Sequence, residues 1–181
     1  LFLQDDKIPD ENVQYEVYSS VIKAFPNKKV LIRTFDAGSD KMLKEQECLH
    51  EKNPLLGWRA IRYCFARPEI FKAQLKASAV FGDVHILIPM VSSLEEIIRL
   101  KEILNEAKSE LRFKNIQHRD DVPLGIMVEV PSIAIIADLV SQHVDFMSIG
   151  TNDLVQYTMA VDRENGKVSS LANYFEPSVL R

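Results

Sequence analysis

Apolar runs at four places constrain this chain more than anything else in it. Residues 29–35, 84–90, 123–130 and 144–149 bring Val, Ile and Leu together with little alternation. Such runs read as strands buried on both faces, the signature of a parallel sheet under helices. Helical segments separate them. Asp10 can cap a helix that carries Tyr15, Tyr18, Val21, Ile22 and Phe25 on one face and ends at Pro26-Asn27. Residues 53–80 read as two further helices, with Pro68 starting the second. Ser93-Leu94-Glu95-Glu96 is a capping box, in which hydroxyl and carboxylate each satisfy an orphan backbone N–H. Leu94, Ile97, Ile98, Leu104, Ala107 and Leu111 follow at helical spacing. The polar stretch 108–121 loses that period after Leu111 and is expected as a surface loop. Pro131 suits the first turn of a helix running through Val140, where its missing N–H costs nothing.

Strand and helix in alternation predict an α/β fold with parallel strands and crossover helices. A doubly wound sheet and a (β/α)₈ barrel both satisfy that order. No glycine-rich dinucleotide fingerprint follows a strand. Polar residues gather instead at several strand ends: Arg33 and Asp36, then Glu129, then Asn152 and Asp153. Active groups on several strand ends are what a barrel provides. A whole barrel takes roughly 250 residues, so the 181 residues are expected to form a single domain, 1–181, holding part of one. The ends fit that expectation. Leu1-Phe2-Leu3 reads as the tail of a strand, and Ser178-Val179-Leu180-Arg181 stops without a closing cap. A partial barrel would leave sheet edges unpaired and prone to self-association.

At 46% hydrophobic and 27% charged residues, the chain can bury a core of its own. Its net charge of -4 offers no broad basic surface to nucleic acid. No apolar run approaches the roughly 20 residues that span a bilayer, and no signal-peptide pattern opens the chain. Cys48 and Cys64 are too few for a disulfide framework and read as free thiols of a reducing compartment, the cytoplasm.

Two acids stand out. Glu129 and Asp153 each follow an apolar strand, and the two strands are consecutive. Side by side at one mouth, their charges would repel unless a cation or proton lay between them. Hard oxygen ligands suit Mg²⁺, which completes its shell with water and substrate oxygens. Spacing alone fits equally well a helix-capping Asp153 and an unrelated ion pair at Glu129. Arg33 lies inside an apolar strand, where a charge is costly unless paired. It could grip a phosphate bidentately or form a buried pair with Asp36 or another acid. Arg59 and Arg62 are three apart, as on one helix face, which alone suits a solvated or salt-bridged surface. Lys41 sits on the Gly38-Ser39-Asp40-Lys41 turn, within reach of a phosphate, and Arg163 follows Asp153 closely enough to return to the same mouth. Two acids among several cations suit phosphoryl transfer, which runs on positioning and charge neutralisation.

Four blocks carry a resemblance: 32–41, from Ile32 to Lys41; Asn53-Pro54-Leu55-Leu56-Gly57-Trp58-Arg59-Ala60-Ile61-Arg62; Gly125-Ile126-Met127-Val128-Glu129-Val130-Pro131; and 150–163, from Gly150 to Arg163. In order and spacing they resemble the phosphoenolpyruvate-utilising enzymes. The Asp40-Lys41 turn and the run 156–163 are most similar to the enzyme I branch of the sugar phosphotransferase system. Pyruvate phosphate dikinase and phosphoenolpyruvate synthase, which share the scaffold, fit less well. A lyase forming a pyruvate enolate, or a non-catalytic dimerisation module, are further alternatives on such a barrel.

The resemblance implies the following. Glu129 and Asp153 would bind Mg²⁺. Arg33, Arg163 and Lys41 would hold the phosphate of phosphoenolpyruvate, with Arg59 supporting the anion site and Asn152 and Asp153 helping to place the substrate. The phosphoryl group would pass to a histidine on a separate domain and on to the carrier protein HPr, and the domain would mediate homodimers. The match has departures. None of His50, His85, His118 or His143 sits in the acceptor's sequence context, and neither Cys48 nor Cys64 matches the family's catalytic cysteine. A further substrate arginine belongs upstream of Leu1, and that cysteine beyond Arg181, so the chain alone is expected to be inactive. Ser39 stands where a second glycine is usual, and Val130 where threonine is usual.

Overall fold

A computed structural model describes residues 9–36, 51–80 and 83–181. Its centre is a four-stranded sheet in the order β1-β2-β3-β4. The strands are β1 (Val30–Arg33), β2 (Val84–Ile88), β3 (Leu124–Val128) and β4 (Phe146–Ile149). Every pairing is parallel: Val30 lies opposite Val84, Ile86 opposite Leu124, and Val128 opposite Ile149. Among the described residues β1 and β4 are edges and the sheet does not close.

Helices fill the connections. They are α1 (Glu11–Ala24), α2 (Ala60–Ala66), α3 (Pro68–Ala79), α4 (Leu94–Phe113), α5 (Pro131–Ile135), α6 (Ala137–Val140), α7 (Thr151–Met159) and α8 (Pro177–Leu180). Short 3₁₀ turns lie at Pro54–Leu56 and Ser169–Leu171. One face of the sheet, bearing Ile86, Ile88, Leu124, Ile126 and Val128, packs on Phe71 and Leu75 of α3 and on Leu100, Leu104 and Leu111 of α4. On the other face Phe146 lies over Gly125, where an added Cβ would come within 2.4 Å of its ring. Only glycine leaves that space, and the Phe146 ring reaches His85 at 5.6 Å.

The Ser93 capping box forms as expected, with Ser93 Oγ and the Glu96 carboxylate each taking a backbone N–H. Four expectations are corrected. The α1 face is rotated: Gln14, Tyr18 and Ser19 are buried, while Tyr15, Val21 and Phe25 are exposed. Polar bonding outranks apolar spacing there. Gln14 Nε2 donates to the Pro9 carbonyl (2.9 Å), and the Tyr18 hydroxyl donates to Gln14 Oε1 (3.3 Å) and accepts from Gln74 Nε2 (3.0 Å). Gln74 Oε1 then accepts from the Phe35 N–H (2.9 Å), so this buried chain pins the end of β1. The loop assigned to 108–121 is wrong at its start, because α4 runs to Phe113. Lys108 is buried and donates to the Asp120 carbonyl at 2.6 Å, which lets a polar residue occupy a core-facing position. The helix expected from Pro131 through Val140 breaks at Ile136 (φ -108°, ψ 25°) into α5 and α6. β1 and β4 are not buried on both faces: as edges they expose Leu31, Met147 and Ile149. The strand tail at 1–3 lies outside the described residues.

No helix among the described residues is long and apolar enough to cross a membrane. Leu100 of α4 is fully buried in the main core. Leu100→Ala is expected to lower the unfolding free energy by about 2–5 kcal/mol, read as a reduced urea midpoint at unchanged slope.

Candidate functional site

The parallel topology brings the C-terminal ends of all four strands to one edge, where α/β folds place ligands. Asp36 lies just past β1 and Met90 just past β2. Glu129 follows β3 directly, and Asp153 sits in the first turn of α7, which Gly150 joins to β4. Arg59, at the N-cap of α2, reaches over this edge.

Its guanidinium joins the elements. Nε and Nη2 donate to Asp36 Oδ1 and Oδ2, each at 3.0 Å. Nη2 also donates to Asp153 Oδ2 (3.3 Å), and Nη1 to the Tyr157 hydroxyl (3.4 Å). Tyr157 Oη in turn donates to the Leu55 carbonyl. Asp153 has a second cation, Arg163 Nη1 at 2.7 Å from Oδ1. The Arg163 backbone N–H donates to Gln156 Oε1 (3.1 Å), which fixes the return of the chain. The side chains of Asp36, Arg59 and Asp153 are only 5%, 8% and 8% exposed, so these charges meet with little water between them. Burial pulls the Arg59 pKa down, but Asp36 and Asp153 outweigh it and hold it above the ordinary value.

Glu129 is buried beside this cluster. Its Oε1 accepts the Met90 N–H at 2.6 Å. A Cβ on Gly150 would lie 2.5 Å from Oε2 and 2.7 Å from the Glu129 Cβ, so glycine at 150 leaves the space the glutamate occupies. Burial pushes Glu129 up to about 7; Asp153 and Asp36 push the same way, against the Met90 N–H and Arg59. A carboxylate held near neutrality by dryness and by a neighbouring acid is one that a divalent cation would discharge. Oε2 has no hydrogen-bond partner among the described residues. No cluster of three or more His, Cys, Asp or Glu able to hold a metal occurs among them. The two carboxylates offer the hard oxygen donors that Mg²⁺ prefers, and both oxygens of Asp153 are taken by Arg59 and Arg163.

The structure therefore brings together Arg59, Glu129, Asp153 and Arg163. Arg33 stands at the rim, its side chain half-exposed and its Nη1 3.8 Å from Asp36. The Arg33–Asp36 pair considered from sequence forms only as a long contact with Arg33 half-exposed, and the closer partner of Asp36 is Arg59. Asn152 is exposed, and its Oδ1 accepts from the Tyr174 hydroxyl at 2.7 Å. Lys41, with its turn, lies outside the described residues, as does Cys48. Arg59 and Arg62 do not share a helix face. Arg59 caps α2, and Arg62 turns back to the Leu56 and Gly57 carbonyls at 2.8 and 3.1 Å. Cys64 is buried and its thiol is pushed by burial up to about 12, far from a reactive thiolate.

Sequence reasoning undervalued Asp36, Tyr157 and the Met90 N–H. A strand-end acid three residues after an arginine was the available signal for Asp36. The other two depend on long-range geometry. Beside the mouth a cavity of about 550 Å³ is lined by Leu55, Leu56, Met90, Pro131, Tyr157 and neighbouring residues.

Because Glu129 binds its proton more tightly folded than unfolded, its contribution to stability is present at low pH and lost as pH rises through about 7. In the absence of divalent metal, the melting temperature should fall by several degrees more between pH 5 and pH 8 for wild type than for Glu129→Gln. Equal pH slopes in thermal melts would contradict the assignment.

The family model for the PEP-binding domain of the PEP-utilising enzymes matches residues 1–181. The phosphoenolpyruvate-protein phosphotransferase of Staphylococcus carnosus is 45% identical over 184 residues, covering 100% of this chain and 32% of that protein. The protein of the same name from Listeria monocytogenes is 44% identical with the same coverage. The chain thus spans about a third of the length of these relatives.

Proposed function

This chain belongs to the PEP-utilising enzymes, as their PEP-binding domain, and we propose that its strand-end cluster binds phosphoenolpyruvate together with Mg²⁺. The observation that carries this reading is the pair of dry carboxylates, Glu129 and Asp153, set among Arg59, Arg163 and the rim residue Arg33. An anion with a phosphate and a carboxylate needs that arrangement of cations, and the acids need a counter-ion of their own.

Glu129 and Asp153 are the ion's ligands. Bound there, Mg²⁺ offsets charge on the phosphate oxygens. Arg33, Arg163 and Lys41 hold the phosphate, Arg59 supports the anion site, and Asn152 and Asp153 help place the substrate. The complete protein is a phosphoenolpyruvate-protein phosphotransferase, in line with the names of its relatives. The P–O bond of phosphoenolpyruvate breaks, a P–N bond forms to a histidine on another domain, and pyruvate leaves after C3 takes a proton. The group then moves to HPr in sugar uptake, in the cytoplasm. This chain positions the donor and neutralises charge, the dominant needs of such a step. The four parallel strands are an arc of a (β/α)₈ barrel of which 1–181 forms one part, and the domain pairs as a homodimer.

Titration calorimetry of phosphoenolpyruvate into the chain should give binding that requires Mg²⁺ and disappears in Glu129→Ala. Metal-independent binding, or full affinity in the variant, would contradict the site.

A further inference from the structure

Arg59 is held by more than its site partner. A guanidinium has five N–H donors in a rigid fork. Two go to Asp36, one to Asp153 and one to Tyr157. One Nη1 N–H is left without a partner among the described residues. The hold from Asp153 is a single 3.3 Å bond, and Asp153 is shared with Arg163 at 2.7 Å. On the reading above, Asp153 also serves the metal. It cannot be what fixes Arg59 once ligands arrive.

Asp36 can. It makes the bidentate contact that sets both the position and the plane of a guanidinium. Its backbone is anchored in turn, because the adjacent Phe35 N–H is tied to Gln74, and Gln74 to Tyr18 and Gln14 of α1. Asp36 is 5% exposed on its side chain, so water cannot substitute for it cheaply. Tyr157, braced on the Leu55 carbonyl, steadies the opposite Nη1 edge.

We propose that Asp36 is a positioning residue that locks Arg59 and aims its remaining Nη1 N–H at the substrate anion. The proposal rests on the phosphoenolpyruvate reading of the same site. Without the Asp36 charge, Arg59 is free to close onto Asp153, taking up the carboxylate the ion needs and withdrawing its N–H from the substrate.

The test combines affinity with a direct view of the guanidinium. In ¹⁵N-resolved NMR of the chain, the Arg59 Nε–H should exchange slowly and remain protected when phosphoenolpyruvate and Mg²⁺ are added. In Asp36→Asn that protection should vanish, and affinity for phosphoenolpyruvate at saturating Mg²⁺ should fall at least tenfold. Asp36→Glu, which keeps the charge, should recover part of both. Affinity equal to wild type in folded Asp36→Asn, even with a lowered melting temperature, reduces Asp36 to a structural role and overturns the proposal. Loss of Nε–H protection in wild type on ligand binding also overturns it, and needs no variant to fold. Failure of wild type to bind phosphoenolpyruvate sinks the functional reading instead. The Nε–H signal in ligand-free Asp36→Asn then still decides whether Asp36 holds Arg59.

Discussion

The Arg59 guanidinium, clamped by Asp36 and touching Asp153, is the interaction on which the strand-end edge depends. It ties the end of β1, the start of α2 and the first turn of α7 at one point, across 23 and 94 residues of chain. Burying three charges is expensive, and only their mutual attraction and hydrogen bonds recover the cost. Removing any one leaves the others buried and unbalanced. The cluster therefore contributes little net stability but enforces one arrangement of strand ends. Arg163 completes the balance on Asp153. Glu129 stands apart: burial, with Asp153 and Asp36 nearby, pushes it toward neutrality against the Met90 N–H that it accepts.

The fold supplies the rigidity this chemistry needs. The Gln14–Tyr18–Gln74 chain pins the backbone at Phe35, one residue before Asp36. Gly125 admits the Phe146 ring at the start of β3 and β4, and Gly150 admits the Glu129 side chain at their end, so two missing Cβ atoms set how closely these strands pack. Ion pairs from Lys72 and Lys76 to Glu106, Glu110 and Glu11 brace α3 against α4 and α1 on the far side.

Much of this was legible in the residues. Four apolar runs give four parallel strands, Pro68 opens α3, and Ser93 caps α4, because each rests on local chemistry. Strand-end placement also brought Glu129 and Asp153 forward as candidates for one edge, alongside the alternatives of a helix cap and an unrelated ion pair. What escaped depends on distant partners. The α1 face follows Gln14 and Tyr18 because of Gln74, 56 residues beyond Tyr18. Lys108 reads as polar and exposed until the Asp120 carbonyl is seen beside it. Arg59 reads as a helix-surface residue until Asp36 and Asp153 are seen to enclose it. Edge exposure of Met147 and Ile149 depends on which strands stand next to β4, which the residues of that strand do not encode.

The central claim is that Glu129 and Asp153 together hold a divalent ion at the substrate anion. Anomalous diffraction from crystals of the chain grown with Mn²⁺ in place of Mg²⁺, in the presence of phosphoenolpyruvate, tests it most directly. The account predicts one strong peak within coordinating distance of a Glu129 oxygen and an Asp153 oxygen, with Arg163 moved from Asp153 to the phosphate and Arg59 still on Asp36. A peak elsewhere, with Arg163 still paired to Asp153 and Glu129 uncoordinated, would contradict it.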